Sequence, residues 1–180
     1  MKIINHLLDS ADYIPSPNHN SRPEDMSIDL LVIHNISLPP KKFGGTYIQQ
    51  LFTNCLVKED HPYFLEIADL KVSAHLVIYR SGNIQQFVPF NLCAWHAGIS
   101  SYLSREKCND FSIGIELEGT DDLPYTDGQY QQLATVTKLL LQHYPSLSQE
   151  HIVGHCDIAP TRKTDPGQSF DWSHFRKSLL

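Results

Sequence analysis

Two short apolar runs constrain this chain most: Leu30-Leu31-Val32-Ile33 and Ile152-Val153-Gly154, each reaching a histidine, His34 and His155. Runs this short, partly β-branched, read as buried strands. Val72 to Tyr79 reads as another strand, Arg80-Ser81-Gly82-Asn83 as a turn, and Ile84 to Val88 as the returning arm of a hairpin. Phe111 to Gly119 alternates. Phe111, Ile113, Ile115 and Leu117 share one side, and Ser112, Gly114, Glu116 and Glu118 the other. If the first set packs in the core, the second is a solvated face.

Helical patterns lie between and after these strands. Thr126 or Asp127 caps a helix running to Tyr144, with Tyr130, Leu133, Val136 and Leu140 on its apolar stripe and Pro145 as its stop. Tyr47, Ile48, Leu51 and Phe52 fit a short helix, and Asp171 caps a tail helix with Trp172, Phe175 and Leu179 on one face. Residues 10–28, marked by Pro15, Pro17 and Pro23, read as an irregular surface arm. Interleaved strands and helices with one hairpin predict an α/β fold: a mixed central β-sheet with helices packed on its faces.

The length of 180 residues suits one domain, 1–180, with its own core. A net charge of -6 argues against nucleic-acid binding, which needs clustered Lys and Arg. No stretch approaches the roughly 20 apolar residues of a membrane span, and the N-terminus lacks the apolar core of a signal peptide. Cys55, Cys93, Cys108 and Cys156 form no C-x-x-C pair, which favours reduced thiols in a cytoplasmic protein. A monomer is expected, with no membrane partner.

Ten histidines stand out, and most are ordinary surface or satisfied core residues. His34 and His155 differ, because strand ends aim side chains into a cleft from a rigid base. The loop after His155, dense in charges and breakers, can return Asp165 to its side. Two imidazoles and a carboxylate leave a fourth tetrahedral position for water, the pattern of a catalytic zinc site. Cys156 and Asp157 are rival ligands, but immediate neighbours of His155 point apart from it, so Asp165 is preferred. Glu116 is a candidate general base, though spacing does not choose it over Glu118. Lys163 is a candidate oxyanion stabiliser, with Arg162 as competitor.

Longer motifs carry a family likeness: Ser16-Pro17-Asn18 with Arg22-Pro23, Leu31 to Asn35, Ser73 to Leu76, Ala94 to Gly98, Asn109 to Gly119, Gly154 to Pro160 and Arg162 to Gly167. Over essentially its whole length the chain resembles the N-acetylmuramoyl-L-alanine amidases, which include phage amidases and peptidoglycan-recognition proteins. Within them it is most similar to the cytosolic 1,6-anhydro-N-acetylmuramyl-L-alanine amidases of Gram-negative bacteria. The resemblance implies a zinc ion on His34, His155 and Asp165, with Glu116 and Lys163 as catalytic residues. It also implies substrate contacts at Lys71 and Lys107, which stand where relatives carry arginine. Each of the two precedes a strand, which would set both at one rim of the cleft, where Trp95 offers a flat apolar surface; Asn35 is a further substrate-binding candidate. A tyrosine precedes the strand histidine in phage-type relatives; here that position is Ala74, which fits a shift of duty to Glu116. The implied substrate is a small anhydro-muropeptide, cut between its lactyl group and L-Ala during cell-wall recycling. A non-catalytic muropeptide-binding module and a lytic amidase acting on intact peptidoglycan are the alternatives.

Overall fold

A computed structural model describes residues 1–180. Its central sheet contains β1 (Asp12–Tyr13), β2 (Leu30–Ile36), β3 (Leu76–Ile78), β4 (Ile84–Gln86), β5 (Ser112–Glu118) and β6 (Ile152–Gly154), side by side as β6-β2-β5-β3-β4-β1. The strands β6, β2, β5 and β3 run parallel, and β4 returns antiparallel to β3 as the expected hairpin. The helices are α1 (Tyr47–Phe52), α2 (Phe64–Ile67), α3 (Asp127–His143), α4 (His155–Ile158) and α5 (Trp172–Ser178).

One face of the sheet is the main core. Leu31 and Ile33 of β2 and Ile113, Ile115 and Leu117 of β5 pack with Leu133, Val136 and Leu140 of α3 and Phe175 of α5. Each such side chain contributes about 1.5–3 kcal/mol when fully buried. The predicted cap of α3 is a capping box, Thr126 with Gln129. Gln129 also donates to the carbonyls of Ile78 and Glu118, pinning the helix onto the sheet at 3.1 and 2.9 Å.

The other face departs from expectation. Every residue of β5 is buried, so its second side is no solvated surface. Flanked by β2 and β3, β5 is central to the sheet, and irregular segments cover the face away from α3. Leu30 and Val32 pack there with Ala97, Cys108 and Ile158, and Val77 packs with Phe52, Phe64 and Phe87. Phe111 precedes the strand and joins the Leu30 cluster instead of Ile113. The proline-marked arm is not loose either. Ser16 and Asn18 are buried, with Ser16 Oγ donating to the Phe52 carbonyl and Asn18 Nδ2 to that of Val72. Arg22 donates to the carbonyls of Asn109, Asp110, Phe90 and Ser112 at 2.8–3.1 Å.

His75, just before β3, shows what this covered face costs in acid. Its Nδ1 accepts from Gly114 N and its Nε2 faces the Leu92 carbonyl, both at 3.0 Å. Burial first, then the Arg22 charge, push its pKa down to about 3 from an ordinary 6.5. The unfolded chain therefore takes up a proton that the folded chain refuses. Stability from this site is complete above pH 6.5 and falls as pH drops towards 3, by about 1.4 kcal/mol per pH unit. The variant His75→Asn keeps an acceptor near the Nδ1 position without titrating. Urea unfolding of the metal-free chain at about pH 7.5 and about pH 5 should show the variant losing about 2 kcal/mol less than the parent. An equal loss in both would show that His75 takes no part in acid destabilisation.

Candidate active site

Strand register assembles the site. In the parallel β2–β5 pair Glu116 stands opposite His34, so both side chains leave the sheet on one face. In the β2–β6 pair Gly154 stands opposite Ile33, which sets His155, the next residue, beside His34. His34 is two residues inside the end of β2, not at its tip as the short apolar run suggested. The site still lies toward the carboxyl ends of parallel strands, where open α/β sheets hold ligands. The loop after α4 folds back as expected: Cys156 N donates to the Asp165 carbonyl at 3.0 Å.

The result is a cluster of three donors. His34 Nδ1 lies 2.9 Å from His155 Nδ1, and each lies 3.1 Å from Asp165 Oδ2. The second nitrogen of His155 faces the Ala97 carbonyl at 3.1 Å, so it carries the proton and leaves Nδ1 as a lone pair. Burial pushes the pKa of His34 down to about 4, so its ring is neutral near pH 7. Burial alone would raise the Asp165 carboxyl, but the imidazoles facing it hold it well below its ordinary value. Two imidazole nitrogens and a carboxylate oxygen thus converge on one point. A metal cation satisfies all three at once, and two imidazoles with a carboxylate suit zinc.

Glu116 and Lys163 share the cleft with this cluster. The cleft has a volume of about 360 Å³, and its walls include Asn35, Trp95, His155 and Asp165, with apolar side chains such as Leu38 and Tyr63. Glu116 Oε2 is buried without a hydrogen-bond partner. Burial, and secondarily the Asp165 charge, push its carboxyl well above the usual range, while the Lys163 ammonium acts in the opposite sense. Lys163 is half-buried. The rival Arg162 is committed elsewhere, to the carbonyls of Ala97 and Ile99 at 2.7 and 2.8 Å.

These contacts sort the remaining sequence candidates. Trp95 lines the cleft with its Nε1 tied to Asn20 Oδ1 at 2.7 Å. Asn35 lines it too, but its amide donates to Asp121 Oδ1 and to the Pro166 carbonyl, so it braces the loop that carries Asp165. Lys71 and Lys107, expected together at one rim, are not among the lining side chains. Lys71 is exposed, and Lys107, in a left-handed conformation, lines a separate cavity beside Gly98 and Pro160. The extra hairpin of Ser101–Tyr102 with Arg105–Glu106 comes between Trp95 and Lys107 in the chain. Cys55, Cys93, Cys108 and Cys156 are all free thiols.

Known proteins of one family share this fold. The N-acetylmuramoyl-L-alanine amidase family matches residues 24–168. The chain belongs to that family. Among its relatives is the 1,6-anhydro-N-acetylmuramyl-L-alanine amidase AmpD of Escherichia coli, 60% identical over 166 residues, which are 92% of this chain and 90% of the relative. A crystal structure of a selenomethionine AmpD derivative superposes with a TM-score of 0.97 at 57% identity, covering all of both chains. The Escherichia coli amidase AmiD, solved with anhydro-N-acetylmuramic acid-L-Ala-D-gamma-Glu-L-Lys, is 29% identical with a TM-score of 0.62 over 88% of this chain and 61% of its own. This amidase therefore has the mixed sheet and helices expected from its sequence, and no helix long and apolar enough to cross a membrane.

Sequence reasoning missed the supports. His96, which contacts the back of His34, and Asn109, which holds the backbone of His96, sit in segments without periodicity, and their only signal was membership of the motifs Ala94 to Gly98 and Asn109 to Gly119. Glu118 was expected on a solvated face. It is buried, and its two oxygens accept from Gly44 N at 2.5 Å and Arg80 N at 3.1 Å. In Glu118→Gln one of those N–H groups would face an amide NH₂. Urea unfolding should show a loss of about 1–3 kcal/mol, whereas a solvated side chain would cost nothing measurable.

Proposed function

We propose that this amidase hydrolyses the amide between the lactyl group of 1,6-anhydro-N-acetylmuramic acid and L-Ala, as a zinc enzyme of cell-wall recycling in the cytoplasm. One observation carries the reading: His34, His155 and Asp165 converge with their ligand atoms within 4.8 Å of one another, in the cleft that also holds the unpartnered Glu116 carboxylate. The substrate class is supported by 60% identity to a relative named for that activity. It is supported further by an anhydro-muropeptide bound to a more distant family member.

The chemistry divides among the residues. Zinc held by His34, His155 and Asp165 would polarise the scissile carbonyl and acidify a water molecule. Glu116 removes the proton from the attacking water and delivers it to the L-Ala nitrogen as the amide bond breaks. A carboxyl raised by burial suits both halves of that transfer, since its affinity for the proton lies closer to those of donor and acceptor. The Lys163 ammonium offsets the negative charge that develops on the former carbonyl oxygen. Trp95 offers a flat wall to the apolar bicyclic sugar. With all three ligand positions filled, a purely binding role is disfavoured.

Stripping the protein with a strong chelator should abolish release of L-Ala peptides, and added zinc should restore it. Full activity in stripped His155→Ala would refute the metal assignment. Glu116→Gln should keep its zinc and lose about 10²–10⁴ in kcat; near-normal turnover would remove Glu116 from the proton path. Assays pairing anhydro-muropeptide with intact sacculi should give turnover of the first only. Preferential attack on sacculi would mark a lytic amidase, and turnover of neither a binding module.

A further inference from the structure

One short segment contacts the rear of both histidines in the ligand cluster. His34 Nε2 lies 2.9 Å from His96 Nδ1, and His155 Nε2 lies 3.1 Å from the carbonyl of the next residue, Ala97. That dipeptide is neither helix nor strand. Its two backbone N–H groups share one acceptor: Asn109 Oδ1 accepts from both His96 N and Ala97 N, at 3.1 and 2.8 Å. Behind His96, its Nε2 meets Ser112 Oγ at 3.0 Å. Its ring lies flush on Gly114, where an added Cβ would come within 2.4 Å of the imidazole. His96 and Ala97 are buried, so water does not compete for these contacts.

We infer that His96–Ala97, clamped by Asn109, is one brace that fixes the orientation and tautomer of both metal-binding imidazoles. His96 and Asn109 are positioning residues of the site. The inference rests on the zinc reading above. With the metal on the Nδ1 atoms, His34 carries its proton on Nε2 and donates to His96 Nδ1. His96 then carries its own proton on Nε2 and donates to Ser112 Oγ, so the relay runs in one direction. His155 donates to Ala97 O, which also receives the Arg162 guanidinium at 2.7 Å and so has both lone pairs engaged. The backbone carbonyl and the imidazole stand where carboxylates or carbonyls commonly orient a metal-bound histidine. Because both supports lie on consecutive residues, a shift of the segment would turn both ligands together.

The test compares zinc dissociation constants of the full chain by competition with a chromophoric chelator. It adds absorption spectra of the cobalt-substituted protein and urea midpoints of the metal-free protein. His96→Ala and Asn109→Ala should bind zinc about 10–100-fold more weakly than the parent, with shifted cobalt bands. His96→Asn, whose Oδ1 stands near the position of Nδ1, should recover most of that affinity, and so should Asn109→Asp, which keeps an oxygen for the same two N–H groups. Affinity within about twofold of the parent in both alanine variants would overturn the brace. So would conservative variants that bind as weakly as the alanine ones at an unchanged metal-free midpoint. If His96→Ala does not fold, the Asn109 pair decides alone. A parent chain that takes up no zinc overturns the metal reading itself, and the brace with it.

Discussion

The parallel register of β2 against β5 governs everything built above the sheet. It pairs Glu116 with His34 and Ile115 with Ile33. Because side chains alternate, the same register sends Ile33 and Ile115 down into the helices and His34 and Glu116 up to the other face, where Glu116 lines the cleft and His34 meets the cleft-lining His155 and Asp165. A slip of one residue would bury a carboxylate among leucines and lift isoleucines into the site. The apolar face therefore supplies both the folding energy and the alignment. The main core also includes Leu133, Val136 and Leu140 of α3, and none of them touches the cleft.

Burial of that second face raises the electrostatic stakes. His34, His75, His96, Glu116 and His155 are all buried, and desolvation penalises whichever form is charged. It holds His34, His75 and His96 neutral and pushes the Glu116 carboxyl upward. Neutral imidazoles are the form that binds metal. A protein with a net charge of -6 does not attract anions through its long-range field. In the cleft the one lining cation is Lys163, close enough to act on both Glu116 and His34. The rest of the lining is mostly apolar and uncharged wall, Trp95 included, and not a ring of charge.

What could be read from the chain follows from what periodicity encodes. Leu30 to Ile33, the hairpin around Ser81-Gly82 and the stripe of α3 each carry a local repeat, and each appears as an element with bounds shifted by a few residues. The proximity of Asp165 to His155 was legible from the breakers between them. Periodicity states which side chains share a face, but not what covers that face. Glu118 therefore looked solvated while actually holding Gly44 and Arg80, and Ser16 and Asn18 looked like parts of a loose arm. The shared position before a strand does not bring Lys71 and Lys107 together: Leu70, Val72 and Ser73, on either side of Lys71, line the cleft, whereas Lys107 lines a separate cavity.

The precision of the site comes from segments with no repeat at all, and asparagine is their recurring fastener. Asn109 fixes His96 and Ala97 through two backbone N–H groups. Asn35 ties Asp121 to the Pro166 carbonyl next to Asp165. Asn18 joins the arm to Asn54 and Val72, and its own carbonyl accepts from Ser73, whose hydroxyl in turn receives Trp95 N. A short amide side chain offers both a donor and an acceptor without charge. It can replace the ladder partners that loop backbone lacks without adding an ion to an already dry cleft. The sheet sets where His34 and Glu116 begin. These uncharged fasteners set where the opposing residues, Asp165, His96 and Trp95, come to rest, and geometry at that scale decides whether three lone pairs make a metal site or only a crowded pocket.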